Sequence, residues 1–357
     1  MTQADQADQA TGPAVGEPPA PEAAAADRSG WSRRRDRLRR SWGRDARGAG
    51  CWRRGLVTAA LAGLVAALLA WHRSVPDQLG NLGSLLETFL PWLGLAVPVL
   101  LVPALLRRSA TALIALLLPC TVWLLLFGGL LTDKSSGRGD FTVVTHNVAA
   151  DNTDPAGTVR LLNSSGAEIV ALEELTPAAL PVYTAGLAAK YPYHVVEGTV
   201  GLWSAYPVGD TRVVDIKIGW TRAFRTQVST PKGPLAVYVA HLPSVRVEFD
   251  GGFTSGRRDV SAQALGDAIQ GEALGKVLLL GDLNGTMNDR SLAPVTSQLR
   301  SAQGSAGSGF GFSWPAQFPM ARIDQIMSRG MKPTDSWVLP ADGSDHRAIA
   351  AEYRYDR

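Results

Sequence analysis

Along the chain the distribution of apolar residues changes character twice. Leu56–Trp71 is nearly all apolar, Leu82–Leu106 is apolar apart from Glu87 and small polar residues, and Ala110–Leu131 carries no charge. Apolarity without a polar face is the pattern of helices surrounded by hydrocarbon. The last two runs are long enough to cross a bilayer core; the first is short, and Arg53, Arg54 and Arg73 would snorkel from its ends. The pattern predicts three transmembrane helices over 56–131, the second kinked by Pro91, Pro98 and Pro103.

After a linker, Thr132–Gly139, short apolar runs alternate with helical spacing. Phe141–Val148 and Glu168–Glu173 are predicted strands with a helix, Pro155–Ser165, between them, and Ala178–Lys190 is a second helix. Val195–Ser204, Arg212–Ile218, Arg225–Ser229 and Leu235–His241 form a run of strands separated by Gly, Pro and Thr turns. Val260, Ala264, Leu265, Ala268 and Ile269 place a helix over Arg258–Leu274, the strand Lys276–Leu280 follows, and the Gly- and Ser-rich Ser301–Phe312 is a predicted loop. Consecutive strands interleaved with helices imply a layered α/β (α+β) sandwich over 140–357 instead of a pure βαβ wind.

Composition adds the flanks. Residues 1–27 hold almost no large apolar side chain and cannot offset their chain entropy, so a disordered start is expected. Arginine dominates 28–54, making 1–55 an Arg-rich tail. That basic region is too long for a secretory signal peptide, and two further apolar runs follow it. With three spans, the tail and Arg107–Arg108 lie on one side, which the positive-inside rule makes cytoplasmic; the domain after Leu131 is then extracellular. Cys51 and Cys120 leave that domain without a thiol, so about 220 residues must hold together by core alone. The net charge of +3 resides in the tail: after Leu131, 21 Lys and Arg stand against 23 Asp and Glu, a balance of about −2. A domain without a basic surplus is a poor general nucleic-acid binder.

The chemistry gathers at strand ends. THNVA ends at Asn147, IVALEEL carries Glu173 and Glu174, VYVAHL ends at His241, and LLLGDLN ends at Asp282 and Asn284. RIDQI adds Asp324 and GSDHR adds Asp345 and His346, both placed in loops. A carboxylate ending a buried strand is costly unless it is paired, hydrated or bound to a metal. Taken singly, each of these residues is more often a turn or cap residue, or a hydrogen-bonded structural histidine.

The ordered set THN, LEEL, AHL, GDLN, RID and SDH closely resembles the endonuclease/exonuclease/phosphatase superfamily, from about Asp140 to the C-terminus, with GLWSAYPV and RRDVSAQ as lesser marks. The resemblance implies a four-layer sandwich of two mixed β-sheets flanked by helices and a site where strand ends converge. It also implies a hard divalent cation, Mg²⁺ or Mn²⁺, in a site of oxygen ligands; no Cys or His pair is spaced for zinc. Glu174 is then the principal metal ligand, with Glu173 the fallback, since neighbouring strand residues face opposite ways. Asn147 supports the metal or its ligands, Ala149 standing where some family nucleases have Asp, and Asp345 joins the metal network. Asp282 orients or deprotonates the attacking water, and Asn284 holds a nonbridging phosphate oxygen. His346 contacts the phosphate or transfers a proton, with Asp324 fixing its tautomer, and His241 contacts the scissile phosphate unless it is a structural strand-end histidine.

The resemblance implies hydrolysis of a phosphoester or phosphoanhydride but not the substrate. Tethering to a membrane favours a lipid-linked phosphate by effective concentration. The layout of Arg-rich tail, three spans and outward phosphatase-like domain is similar to actinobacterial membrane proteins of the VanJ type linked to teicoplanin resistance. That likeness implies a polyprenyl pyrophosphate such as undecaprenyl pyrophosphate as substrate, with resistance following from altered carrier recycling. A membrane-bound extracellular nuclease, a phospholipase of sphingomyelinase type and a non-catalytic binding module are the rival readings.

Overall fold

The computed structural model describes residues 53–78, 80–245, 247–248 and 252–355, so most of the Arg-rich tail lies outside the described residues. From 140 onward two six-stranded sheets face each other. The first runs in the order β13 (Met331–Val338), β14 (Ile349–Tyr355), β1 (Phe141–Asn147), β2 (Ile169–Glu173), β4 (Val200–Ser204), β3 (Tyr193–Glu197). The second runs β11 (Arg300–Ser301), β12 (Asp324–Arg329), β10 (Val277–Asp282), β7 (Gly233–Ala240), β6 (Ala223–Thr230), β5 (Val208–Val213). A small hairpin pairs β8 (Val247–Glu248) with β9 (Gly252–Phe253). Both large sheets are mixed: β1 is parallel to β2 and antiparallel to β14, while β10 is parallel to β7 and antiparallel to β12.

The apolar inner faces make one core, with Val143, Ile169, Leu202, Phe224, Val237 and Leu280 fully buried. Helices Pro155–Ser164 and Leu180–Leu187 cover the outer face of the first sheet through Val159, Leu162, Tyr183 and Leu187. Helix Gly256–Gln270 covers the second through Ala262, Leu265 and Ile269. This is the expected four-layer sandwich. Strands buried on both faces read as continuous apolar runs, and for that reason LLLGD and IVALE stood out before their partners were known.

Several expected elements differ. Val195–Ser204 is a hairpin, β3 and β4, turning at Gly198 with φ 62°. β5 lies earlier than the predicted Arg212–Ile218. The Ser301–Phe312 loop contains the end of β11 and a helix, Ala302–Ala306, whose N-terminus is capped by Ser301 Oγ. Asp324 opens strand β12 and is not in a loop, pairing in register with Asp282.

Three full transmembrane helices are not what the structure shows. Among the described residues one helix, Ala110–Leu130, is long and apolar enough to cross a membrane, or two spans are present if the bent pair Leu82–Thr88 and Leu90–Leu106 counts as one. Leu56–Ala70 has 15 residues, spanning roughly 22 Å at 1.5 Å per residue against a hydrocarbon core of about 30 Å. The second run is broken: Leu82–Thr88 and Leu90–Leu106 meet at 74°. The break precedes Pro91, which lacks an N–H and sits comfortably in a first helical turn. Pro103 lies within the following helix without ending it.

The helices nonetheless pack side by side. Ala62, Ala104 and Ala112 meet near the arginine end, where Arg107 Nη1 donates to the Arg54 carbonyl at 3.4 Å. Leu69, Leu90 and Phe127 meet at the other end, against Phe310 of the sandwich. The short Leu82–Thr88 helix lies on the sandwich, where Arg258 Nη2 donates to Ser84 Oγ at 3.0 Å and Ser84 Oγ donates to Asp289 at 3.0 Å.

Candidate active site

The parallel pair β1/β2 and the parallel pair β7/β10 end on the same side of the sandwich. Asn147 and Asp282 terminate β1 and β10, and Asn147 Nδ2 donates to Asp282 Oδ2 at 3.1 Å, joining the two sheets. It also donates to Glu174 Oε1 at 3.2 Å. The β10 strand reaches this position through Gly281, at φ 146°; a Cβ there would collide with the Ala240 carbonyl of β7. Glycine is the residue that permits so close an approach of backbones.

Three non-glycine residues around the site have left-handed backbone: Ala149 at φ 57°, Glu174 at 62° and Asn284 at 47°. Such conformations cost energy and persist where surrounding bonds enforce them. Val148 N donates to the Glu173 carbonyl and Leu175 N to that of Thr199, holding the chain on both sides of Glu174. The turn throws the two acids apart. Glu173 is fully buried, its Oε1 accepts from Thr145 Oγ1 at 2.8 Å, and burial raises its pKa well above the ordinary carboxylate range. Glu174 lines the open cavity and accepts from Ala150 N at 3.0 Å.

His346 arrives on the loop before β14. Its backbone N donates to Ser344 Oγ at 3.0 Å, and Ser344 Oγ donates to the Asn147 carbonyl at 2.7 Å. His346 Nδ1 lies 3.0 Å from Asp324 Oδ2 and its Nε2 lies 3.9 Å from Asp282 Oδ2. Burial by itself would lower the imidazole's pKa, but Asp324 and Asp282 outweigh it and push it up to about 10. His346 is therefore a cation at neutral pH, suited to donating a proton or steadying phosphate charge and unsuited to acting as a base. The Asp282 carboxyl is pushed up by burial to about 7, against the opposing pull of His346 and the Asn284 N–H. Asp324 lies below the usual range despite burial, because His346 and Ser313 both hold its anion.

His241 is buried, with Nε2 at 3.7 Å from Glu174 and 3.6 Å from Asp282. Burial, then the charges of Arg222 and His346, keep it neutral. Arg222, which touches the His241 ring, was not anticipated; an isolated arginine beside a strand start carries no sequence signal of its own. Asn284 Nδ2 donates to the Leu242 carbonyl at 3.0 Å and to Asp282 at 3.2 Å. Asp345 lies on the cavity rim, 3.4 Å from Trp314 Nε1. The structure thus brings Asn147, Glu174, His241, Asp282, Asn284, Asp324 and His346 together, with Asp345 at their edge and Glu173 beneath them.

The donor set fits a hard divalent cation. Asp282, Asp324 and His346 each offer a buried ligand atom within 4.8 Å of the others. Since Asp324 and His346 already satisfy each other, the acceptors left are those of Asp282 and Glu174, with the Asn147 amide between them. Two carboxylates, without a thiol, suit an oxygen-seeking ion. A cation held there would act as Lewis acid toward a phosphoryl oxygen. Asp282, Asn284 and His346 line the same cavity as Glu174, and His241 Nε2 lies within 3.7 Å of both Glu174 and Asp282.

Residues 144–346 match the endonuclease/exonuclease/phosphatase family. The chain belongs to this family, whose members are metal-dependent phosphoester hydrolases. Among solved structures it is similar to an endonuclease/exonuclease/phosphatase from Bacteroides vulgatus, with 14% identity and TM-score 0.51 over 60% of this chain and 99% of that one. D. rerio TDP2, solved with a single-strand DNA product, gives 19% identity and TM-score 0.50 over 60% and 98%. A conserved protein of unknown function from Enterococcus faecalis gives 16% and 0.50 over 60% and 100%. At these identities the likeness concerns the fold. Among curated proteins none matches the chain.

Proposed function

We propose that the protein is a membrane-anchored, Mg²⁺-dependent phosphohydrolase acting at the outer face of the membrane on a lipid-linked phosphate or pyrophosphate. The observation that carries this reading is the wall of the catalytic cavity. Thr88 and Phe89, from the bend between the two broken helices, line the same space of about 490 Å³ as Glu174, Asp282, Asn284 and His346. A headgroup entering that space does so beside apolar helices. Helix Ala110–Leu130 supplies the anchor, and the arginines at the far end of the bundle support this orientation through the positive-inside rule. An adjoining cavity lined by Trp220, Arg222, Ser244 and Arg257 offers cationic groups for a second phosphate, as a pyrophosphate requires. Teicoplanin resistance would follow if hydrolysis alters recycling of a cell-wall lipid carrier.

A second reading has one observation in its favour. Trp220 with Arg222 stacked on its ring at 5.0 Å is the kind of platform on which a base of single-stranded DNA rests. Phosphate release from undecaprenyl pyrophosphate by the full-length protein with Mg²⁺, beside Asp282→Ala and a DNA control, separates the two. Metal- and Asp282-dependent release with intact DNA supports the phosphohydrolase; cleaved DNA without release overturns it.

A further inference from the structure

The helical unit and the sandwich enclose a second cavity, of about 440 Å³, that the catalytic chemistry does not use. Trp92, Val97 and Leu124 wall it from the helices and Phe310 and Phe312 from the sandwich, with Cys120 in its lining. Its lining side chains are aromatic, aliphatic or thiol. The two indole N–H groups are already spent on backbone: Trp92 Nε1 donates to the Met320 carbonyl at 2.8 Å and Trp123 Nε1 to the Pro91 carbonyl at 2.8 Å. No indole donor is left for a polar guest, so the cavity selects hydrocarbon.

Position identifies whose hydrocarbon. A smaller cavity between this one and the catalytic space shares Thr88 with the catalytic space and Pro91, Phe310 and Phe312 with the apolar one. The three spaces follow the bend Thr88–Pro91 in sequence, polar at one end and apolar at the other. Trp92 stacks on Phe312 at 5.8 Å and Phe312 on Phe310 at 5.1 Å, tying the bend to the sandwich. The outward faces of Leu95, Leu124 and Leu125 are exposed, so a chain leaving the cavity meets the lipid side of the helices.

Resting on the functional reading above, we infer that this cavity holds the hydrocarbon chain of the substrate whose phosphate occupies the catalytic site, making the enzyme selective for long-chain over short-chain phosphates. The occupant is the substrate's own tail, not bulk membrane lipid, because the smaller cavity shares lining residues with both the apolar cavity and the site that takes the headgroup.

The test uses full-length protein with Cys51→Ser, leaving Cys120 as the sole thiol. Undecaprenyl phosphate is expected to slow alkylation of Cys120 at least tenfold, while dimethylallyl phosphate and phosphatidylcholine at the same concentration do not. In parallel, Leu124→Trp, which fills the cavity, is expected to lower at least tenfold the ratio of kcat/KM for undecaprenyl over dimethylallyl pyrophosphate. Equal protection by phosphatidylcholine, absent protection, or an unchanged ratio overturns the inference while phosphate release leaves the functional reading standing. Release from neither pyrophosphate overturns the reading and the inference with it. Should Leu124→Trp not fold, the Cys120 measurement decides.

Discussion

Glu87, on the short helix before the bend, accepts from the backbone N–H of Arg290 at 3.0 Å and from its Nε at 3.3 Å, so an acid within a predicted membrane run is bound to the catalytic domain. His72 Nδ1 lies 3.4 Å from the same carboxylate, and Arg290 Nη2 donates to the Val75 carbonyl at 2.7 Å. A charge at membrane depth usually faces protein or water; here it faces protein, and it fixes the bend that delivers Thr88 and Phe89 to the site.

Glu87→Ala therefore removes the acceptor of the Arg290 backbone N–H and Nε, leaving Asp77 Oδ2 at 3.6 Å as the carboxylate still near its guanidinium. The expected cost is about 1–3 kcal/mol, the usual penalty for orphaning a hydrogen-bonded group in a largely buried site. Thermal unfolding of the full-length protein in detergent measures it; an unchanged midpoint would show that the helix is not docked through this pair.

Glu174→Gln is expected to lower activity by about 10²-fold and to raise the Mg²⁺ concentration needed, as loss of a ligating or supporting carboxylate does. Glu173→Gln, replacing a buried carboxyl that accepts from Thr145 and lies beneath the cavity, is expected to cost less than about tenfold. Metal titrations of both variants decide between the two acids, and the reverse ranking sinks the assignment.

Asp324→Asn removes the anion that holds His346 protonated. With the folded pKa lowered, the alkaline limb of the rate profile moves to lower pH and kcat falls by roughly 10²–10⁴. A profile that keeps its alkaline limb in the variant would rule out His346 as the proton-bearing group.

Away from the site, Glu272 accepts from Arg225 Nε at 2.8 Å. Burial raises its pKa, yet the hydrogen bond and charge of Arg225 carry it down to about 2 from an ordinary 4.5. A depressed carboxylate contributes stability that is present above the unfolded pKa and lost as pH falls through the folded one. Stability should thus decline between about pH 4.5 and 2, and Glu272→Gln should flatten that decline. Unfolding midpoints across this range would expose the error if the variant falls as steeply as the parent.

What the sequence by itself determined is the set of polar residues that interrupt apolar strands. Val144 and Leu280 are buried, so the chain that carries them must end its strands at Asn147 and Asp282, and their cost in a dry core marks them for chemistry. The layered class followed equally from strand and helix spacing, because those periodicities are local. Tertiary structure alone decided three matters. The left-handed backbone at Glu174 places its side chain on the cavity and leaves Glu173 buried beneath it, since a turn set by hydrogen bonds to Val148 and Thr199 redirects a side chain without leaving a trace in residue type. Arg222 became part of the site only because its strand start lies against the end of β7. Apolar composition overstated the second membrane run: hydropathy sums side chains along the chain, whereas the ion pair of Glu87 with Arg290, 203 residues away, bends it onto the domain. Interactions between residues distant in sequence depend on which surfaces meet, and that is settled only when the sheets and helices are packed.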